Sequence, residues 1–461
     1  MDGVSKKITA KMEISPQVFA DIQKKIKNIS NFKEKIEEFL TKSVSEFLEV
    51  ILAGGIILEA SDIHIEPEEN QAKIRVRIDG LLQDVIVFDL KTFQTLLSRI
   101  KLLSEIKLNI TDKPQDGRFS VLMSQPAEAI EIRVSTLPAE YGESIVLRIL
   151  NPKSLIEIEG LGIRKDLLEI FKREIKRPNG MIIVTGPTGS GKTTTLYAFL
   201  KRIQKPEIKI ITIEDPIEYH LKEISQSQVD PQKGYDFASG LKSIMRQDPD
   251  VVLVGEIRDL ETAKISLQAA LTGHLVLTTL HTNDAAGTLV RLEALGEKPV
   301  NIAPAINMAV AQRLVRKVCQ KCAKIEKISS PDFEKIKKAL KNVPKKIINL
   351  SEMLKVKEDK SSSPPLAATW EDKDLAALKI PQAKGCKDCN FTGFKGRIGI
   401  FEAFLVDNEM EKFILTSPSI SALREKAIKK GMLTMRQDGI IKVLEGITTI
   451  GEVERVAGEN T

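Results

Sequence analysis

The chain has 461 residues, of which 42% are hydrophobic and 29% are charged. This length is enough for roughly two to four domains with their own cores, and the apolar content excludes a disordered protein. The 69 basic and 63 acidic residues are mixed along the chain and give a formal net charge of +6. Such a mildly basic, solvated surface argues against a nucleic-acid-binding arm.

The N-terminal part contains no segment typical of a membrane anchor or a signal peptide. Its longest apolar run, residues 51–58, is too short to cross a bilayer and is flanked by glutamates. The basic residues near the start are followed by mixed polar residues rather than by an apolar segment. We therefore expect a cytoplasmic protein that contacts a membrane only through partners or surface charge.

The first third of the chain predicts a helical extension and a small α/β domain. Residues 1–45 are charged and carry apolar side chains at helical spacing, which predicts short helices that serve as an adaptor or a docking arm. Residues 46–150 contain alternating segments at 72–80, 130–135 and 144–150, which are typical of half-exposed strands. We interpret this region as one domain.

The remaining chain predicts a larger α/β core with an insertion. Strands and helices alternate over residues 155–315, as in a doubly wound, mostly parallel sheet. Residues 316–402 contain all four cysteines and a Lys-rich flexible insert at 323–385, with a short helix at 333–340. Residues 403–461 form a helical C-terminal region.

Residues 186–193 read Gly-Pro-Thr-Gly-Ser-Gly-Lys-Thr and match the G-x-x-x-x-G-K-[ST] phosphate loop at every fixed position. An apolar, β-branched strand pattern precedes them and a helical pattern follows them, which is the context that the motif requires. In this loop Lys192 reaches the β- and γ-phosphates of ATP and Thr193 holds Mg²⁺. The alternative is a polar turn with a chance lysine. The predicted nucleotide ligands in this segment are Gly186, Pro187, Thr188, Gly189, Ser190, Gly191, Lys192, Thr193 and Thr194.

Acidic residues follow two further strand patterns. Glu256 comes after the apolar run 251–254 and suits a residue that polarises the attacking water or holds the Mg²⁺ shell. Glu214, Asp215 and Glu218 follow the run 208–213, and three such carboxylates repel one another unless a cation lies nearby. We therefore predict a metal-facing acidic cluster. The alternative for both segments is an ordinary strand that ends in exposed acids.

Two histidines bracket another apolar strand. His274 and His281 lie on either side of residues 275–280. Strand ends near a phosphate loop are where a sensor of the γ-phosphate would lie. The alternative is that both are only polar strand termini.

The four cysteines form two C-x-x-C pairs, which suit a tetrahedral zinc site with no open position. Such a site is structural rather than catalytic. The alternative is four free buried thiols. The predicted ligands are Cys319, Cys322, Cys386 and Cys389.

Together these segments resemble the secretion ATPase superfamily, which includes the type II secretion E-type ATPases and the type IV pilus assembly ATPases. The resemblance runs from about residue 46 to the C-terminus. Residues 213–218 resemble the family's Asp box, 255–258 its atypical Walker B motif, and 272–281 its His box. The other matching segments are 60–67, 77–80, 114–118, 133–135, 312–316 and 396–402.

The resemblance implies a hexameric ring in which a PAS-like domain precedes a RecA-like core and ATP binds in the cleft between them. It implies that Glu256 is the catalytic glutamate and that Glu218 assists the magnesium ion or the water. His281, or alternatively His274, senses the nucleotide. Arginines of the preceding domain, with Arg118 and Arg133 as the best matches, act on the phosphates as arginine fingers.

The partner implied by the resemblance is an inner-membrane platform protein of a pilus or secretion machine. The protein would then be peripheral to the inner face of the membrane, without nucleic acid. The cysteine pairs favour assembly or secretion over pilus retraction. Most E-type members carry a sizeable extra N-terminal domain that binds a membrane-protein partner, whereas only about 45 residues precede the match here, so the resemblance does not extend to that docking mode. The alternatives are a RecA-like nucleic-acid translocase and a catalytically dead nucleotide-binding scaffold.

Overall fold

The computed structural model describes residues 11–124, 127–152, 155–341, 343 and 378–458. The middle of the predicted insert and the first ten residues of the predicted N-terminal extension lie outside these ranges. The described residues fall into two compact units, one within 1–154 and 384–395 and the other within 155–383 and 396–461. None of the helices in the described ranges is both long enough and apolar enough to span a membrane.

The first unit is a seven-stranded sheet with the order β1-β5-β6-β7-β2-β3-β4 and four helices. Its strands are β1 Lys11–Ile14, β2 Asp62–Pro67, β3 Ala72–Ile78, β4 Leu81–Phe88, β5 Gln115–Ser124, β6 Ala127–Ala139 and β7 Gly142–Leu150. Its helices are α1 Pro16–Lys25, α2 Ile29–Phe39, α3 Val44–Ile57 and α4 Leu90–Leu103.

The sheet of the first unit buries one side of each strand. In β3, Ile74 and Val76 are fully buried whereas Lys73 and Arg75 are only partly buried. The buried side chains join those of the helices in one hydrophobic core. One face of the sheet packs on the helices and the other does not. This explains the alternation of apolar and polar residues from which half-exposed strands were predicted.

The segment before residue 45 differs from the predicted arm. It contains a strand, β1, which pairs in parallel with β5, and its helices belong to the core of the first unit. Phe32 is fully buried and lies so close to Gly54 that a Cβ there would be 2.1 Å from its ring. A four-residue strand is too short for its alternation to be recognised in the sequence.

The second unit contains the other seven-stranded sheet, with the order β10-β9-β11-β12-β8-β13-β16, and a two-stranded sheet of β14 and β15. Its strands are β8 Gly180–Thr185, β9 Ile210–Glu214, β10 Ser225–Gln228, β11 Val251–Val254, β12 Leu275–Leu280, β13 Ile306–Val318, β14 Lys324–Lys327, β15 Lys379–Gln382 and β16 Phe394–Leu405. Its helices are α5 Lys165–Glu174, α6 Lys192–Ile203, α7 Phe237–Ile244, α8 Leu260–Leu271, α9 Gly287–Ala294, α10 Pro299–Ala305, α11 Ser330–Leu340, α12 Asn408–Ile414, α13 Ile420–Lys429, α14 Met435–Leu444 and α15 Ile450–Ala457.

The strands from β10 to β13 in this sheet pair in parallel. In β8, Met181 and Ile183 belong to one hydrophobic core while Ile182 and Val184 belong to another. Helices therefore cover both faces of the sheet, as predicted for a doubly wound core. The strand β12 lies between β8 and β11, so the phosphate-loop strand and the Glu256 strand are not neighbours.

Buried ion pairs attach the C-terminal helices to the rest of the second unit. Asp438 on α14 is fully buried and accepts hydrogen bonds from Lys442 Nζ at 2.8 Å, Arg164 Nη1 at 2.9 Å and the Phe401 amide at 2.8 Å. Two cations and a backbone amide therefore compensate the buried negative charge of Asp438. The contacts connect α14 with β16 and with the segment before α5.

Glu452 on α15 makes a second such contact. Its carboxylate accepts hydrogen bonds from Arg316 Nη2 at 2.7 Å and from Arg455 Nη2 at 2.6 Å, and Oε1 also accepts the Arg316 amide. Burial alone would raise the pKa of Glu452, but the hydrogen bonds from Arg455 and Arg316 lower it to about 2. The ionised carboxylate therefore favours the folded state.

We expect Glu452→Gln to lower the free energy of unfolding by about 2–3 kcal/mol at pH 7, because the folded pKa of Glu452 lies well below its unfolded value. The difference should shrink as the pH falls below about 5 towards 2, where the native carboxylate also becomes protonated. Denaturant unfolding at a series of pH values measures this. Glu37→Gln, in an exposed pair with Lys33, is the control and should change little. A deficit that does not depend on pH would contradict the assignment.

Candidate nucleotide-binding site

The phosphate loop connects the end of β8 with the start of α6. Gly186, Gly189 and Gly191 have φ values of +150°, +77° and +88°, which side chains other than glycine rarely adopt. The helix begins at Lys192, inside the loop motif, with Gly191 as its N-cap. The loop therefore leads directly into a helix N-terminus, whose free amide groups suit an anion.

Gln312, which follows the β13 residue paired with Thr185, packs against this loop. A Cβ at Gly186 would lie 2.5 Å from the Gln312 carbonyl oxygen, and one at Gly191 would lie 2.8 Å from Gln312 Nε2. Thr195 Oγ1 on α6 donates to Gln312 Oε1 at 2.7 Å. Gln312 thus supports both ends of the loop, a role that the sequence motifs did not assign.

The side chains of the loop offer hydrogen-bond donors. Lys192 Nζ donates to the carbonyl oxygens of Gly186 at 2.8 Å and Pro187 at 3.2 Å, and burial lowers its pKa although Glu256 opposes that shift. The Ser190 hydroxyl is buried and has no hydrogen-bond partner among the described residues. Thr193 lies half-buried in the first turn of α6. This set of donors fits a phosphate group.

Glu256 lies just beyond β11 and is held by two cationic or ionisable side chains. Its Oε1 accepts from Arg258 Nη2, and its Oε2 lies 3.3 Å from His281 Nε2. Burial alone would raise the pKa of Glu256, but the hydrogen bonds and charges of Arg258 and His281 lower it. Glu256 is therefore ionised at neutral pH and can polarise a water molecule or accept its proton.

The two histidines lie at opposite edges of the sheet. β12 pairs with β8 so that Leu275 faces Gly180 and Leu280 faces Thr185. His281 therefore follows β12 at the edge where the phosphate loop follows β8. His274 lies at the other edge, where its Nδ1 is 3.1 Å from the Ala269 carbonyl oxygen. The six residues of β12 therefore separate His274 from His281, and this chain does not bring His274 to its own phosphate loop. A role of His274 in nucleotide binding stays a prediction.

The predicted acidic cluster after β9 does not face one cation. Glu214 is buried and accepts hydrogen bonds from Tyr197 Oη, from Thr212 Oγ1 at 2.6 Å and from Gln226 Nε2 at 3.3 Å. Burial raises its pKa. The Glu214 carboxylate thus belongs to a buried hydrogen-bond network, and its side chain lies on the same face of β9 as that of Thr212. Its binding to the nucleotide or its metal stays a prediction.

Asp215 faces Arg258 instead of that buried network. Asp215 is exposed and its Oδ2 accepts from Arg258 Nη1 at 3.4 Å, so Arg258 joins Asp215 to Glu256. Glu218 follows in the same segment and is partly buried. The sequence motifs included Arg258 but did not assign it a role. Its position two residues after Glu256 is the signal that identifies it.

In the first unit, Arg118 and Arg133 belong to a row of charged residues across the sheet. Successive strand pairs align Arg118 with Arg133, Arg133 with Arg148, Arg148 with Asp62 and Asp62 with Arg77. The residues before and after them in each strand are mostly buried in the core. Since successive side chains of a strand point to opposite faces, the row lies on the face of the sheet that points away from the core. Arg148 Nε donates to Asp62 Oδ1 at 3.0 Å. The arginine row, as we call these five positions, contains four cations and one acid.

The four cysteines predicted as metal ligands lie together. Their Sγ atoms are all within 4.8 Å of one another, and those of Cys386 and Cys389 are 3.7 Å apart. Four thiolates around a zinc ion at about 2.3 Å have sulfur–sulfur separations of about 3.8 Å. The Sγ atom of Cys389 also accepts from the Gly393 amide at 3.3 Å, which favours a thiolate. The cluster can therefore hold a tetrahedral metal ion such as Zn²⁺.

The sequence and the fold of this chain are similar to those of known proteins. A family model described as type II/IV secretion system protein matches residues 36–455. The chain belongs to this family. It is 41% identical over 414 residues to the type IV pilus assembly ATPase PilB of Thermus thermophilus, and 41% identical over 420 residues to the type II secretion system ATPase E of Vibrio cholerae. The first alignment covers 89% of this chain but 42% of the relative, and the second covers 90% and 76%.

Solved structures support the fold. The ATPase DotB of Legionella pneumophila matches with a TM-score of 0.61 at 21% identity, and the match covers 90% of this chain and 96% of that one. The pilus retraction motor PilT with bound ADP matches with a TM-score of 0.56 at 25% identity, covering 88% and 95%. The predicted family and fold class are confirmed: a PAS-like α/β domain, a RecA-like core, a tetracysteine cluster and C-terminal helices, in a family whose relatives are named ATPases.

Proposed function

We propose that this protein is a cytoplasmic, hexameric ATPase that hydrolyses ATP to drive type IV pilus assembly or type II secretion through an inner-membrane platform protein. The observation that carries the proposal is the meeting of the phosphate loop, Glu256 and His281 at one edge of a parallel sheet. The names of the two relatives, a pilus assembly ATPase and a secretion ATPase, supply the process.

Each side chain at this edge has a distinct task in the proposed reaction. Lys192 leaves its carbonyl partners for the phosphates, and Thr193 binds the Mg²⁺ that accompanies ATP. The Glu256 carboxylate orients the attacking water, and Glu218 assists it. His281 contacts Glu256 and thereby links the state of the terminal phosphate to the loop that follows β12. Mg²⁺ supplies charge neutralisation on the phosphates when it is bound.

We expect Glu256→Gln to lower kcat by about 100-fold or more while ATP still binds, because the amide cannot accept a proton or carry the carboxylate charge. Phosphate release by the purified protein measures this. Glu261→Gln, an exposed acid on α8 that pairs with Lys242, is the matched control and should keep wild-type turnover. Equal rates at background for the wild type and Glu256→Gln would instead favour a nucleotide-binding scaffold. Turnover that requires DNA would favour a nucleic-acid translocase.

The arginine row is proposed as the source of the cross-domain cations. Arg118 and Arg133 stand side by side on adjacent strands, and Arg148 continues the row. Several guanidinium groups on one face attract a polyanion. Asp62 pairs with Arg148 and Arg77, and Glu131 lies 3.4 Å from Arg133, so the four cations are only partly offset. In this proposal the row approaches the phosphates when the domains close, so each closure couples ATP to a domain movement.

We expect Arg133→Ala and Arg118→Ala each to lower kcat by about 10²-fold or more with a smaller change in the KM for ATP, because the cation acts on charge that develops in the transition state. Steady-state kinetics separates the two effects. Arg246→Ala, an exposed arginine after α7, is the control. An unchanged kcat with a large loss of ATP affinity would contradict the arginine-finger role.

The cysteine cluster is proposed to hold one structural zinc ion. We expect elemental analysis to give about one zinc per chain, and Cys389→Ser to lose the metal and to lower the melting temperature, because a closed tetrahedral site contributes folding energy. The opposite result would be a protein without zinc whose four thiols react with a thiol reagent in the native state. That result would support the alternative that the cysteines are free thiols.

A further inference from the structure

Arg313 is next to the phosphate loop on the strand β13. Its Nη1 atom would lie 3.1 Å from a Cβ at Gly186, the residue whose carbonyl oxygen accepts a hydrogen bond from Lys192 Nζ. Two carbonyl oxygens hold the guanidinium in place: Nη1 donates to Gln312 O at 3.1 Å and Nη2 to Asn283 O at 3.0 Å. Arg313 and Lys192 therefore approach the same end of the loop.

The cation of Arg313 is partly buried and lacks the acidic partner that Arg258, Arg316 and Arg424 have. Arg258, Arg316 and Arg424 each pair with a carboxylate. For Arg313, as for Lys192, no carboxylate of the described part of the chain lies within the 4.0 Å of an ion pair. Burial lowers the pKa of both groups. Two half-buried cations of like charge side by side are costly unless an anion joins them.

The guanidinium also retains unused hydrogen-bonding capacity. An arginine carries five N–H donors in a planar fork, and the two carbonyl contacts use one on each terminal nitrogen. Such a fork matches the oxygens of a phosphate group. The backbone contact with Asn283 orients the group next to the segment that follows His281. The position of Arg313 next to the loop, its positive charge and its unused N–H donors thus all indicate a phosphate ligand.

We propose that Arg313 binds the terminal phosphates of the nucleotide together with Lys192, and that it is a specificity residue for nucleotides over nucleosides. The inference rests on the proposed function, because it takes the phosphate loop as the ATP site. It adds a cation from the core's own sheet to the arginines of the preceding domain. The contact with Asn283 places the same side chain against the His281 loop.

The test uses two substitutions that separate charge from hydrogen bonding. Arg313→Gln retains an N–H donor for Asn283 O but removes the charge, whereas Arg313→Lys retains the charge without the fork. Titration calorimetry gives the affinities of the full-length protein for ATP, ADP and adenosine. We expect Arg313→Gln to bind ATP about 10-fold or more weakly, Arg313→Lys to lose less, and adenosine binding to stay unchanged. The melting temperature without nucleotide should stay near wild type.

The wild type, Lys192→Ala and Arg246→Ala complete the experiment. If the wild type binds ATP, Lys192→Ala does not and Arg313→Gln matches the wild type, this inference is overturned while the ATP site stands. If Arg313→Gln weakens ATP and adenosine equally and lowers the melting temperature, Arg313 only supports the fold and the inference also fails. A wild type that binds no nucleotide under any condition would overturn the proposed function itself. Arg246→Ala should match the wild type throughout.

Discussion

The parallel register of the strands in the second unit is the constraint on which the candidate site depends. Since β9, β11, β12, β8 and β13 run in the same direction, the residues that follow each strand converge at one edge of the sheet. A slip of one residue in any pair would turn its side chains to the other face. The residues brought to this edge are Asp215, Glu256, His281 and Gly186, each just after its strand, together with Gln312, which lies within β13 beyond the residue paired with Thr185.

Charges at this edge are distributed unequally. The Glu256 carboxylate has two partners, Arg258 and His281, so its negative charge is compensated within the protein. Lys192 and Arg313 have only carbonyl oxygens as hydrogen-bond acceptors among the described residues. Glu256 acts on Lys192, and Glu402 and Asp284 act on Arg313, only as nearby charges that raise the pKa of the cation. A polyanion that enters the loop therefore meets two cations without a direct carboxylate partner and an acid that already has partners. This arrangement suits a site in which the cations bind the phosphates and the neighbouring Glu256 carboxylate does not contact them.

The sequence predicted the parts of the site that depend on local signals. The phosphate loop, the strand before Glu256 and the cysteine pairs each consist of residues close together in the chain, and the structure brings them into the expected elements. The doubly wound core followed from the alternation of strands and helices. These features can be predicted without knowing which strands pair.

The remaining features depend on contacts between distant residues. His274 and His281 look equivalent in the sequence, and only the pairing of β12 with β8 separates the two edges. In the sequence Glu214 looks like a member of an acidic cluster, but in the structure its buried carboxylate accepts hydrogen bonds from Tyr197 and Gln226. Similarly, Arg148 joins the arginine row only through its alignment with Arg133.

The loop that carries His281 is fixed at several points, and this determines how the site communicates with the rest of its unit. Thr282 contacts Thr185, the last residue before the phosphate loop, with 2.8 Å between their hydroxyl oxygens. Asp284 accepts the Gly287 amide at 2.7 Å and pairs with Arg424 on α13. The Ala285 amide donates to Glu402 Oε1 on β16 at 2.8 Å.

Glu402 also accepts the Met435 amide at the start of α14, and burial raises its pKa. Through these contacts the His281 loop is attached to the phosphate-loop strand on one side and to the C-terminal helices on the other. A displacement of His281 must therefore either move α13 and α14 or break buried hydrogen bonds that are costly to leave unsatisfied. The C-terminal helices are thus connected to the candidate nucleotide site through Asp284, Ala285 and Glu402.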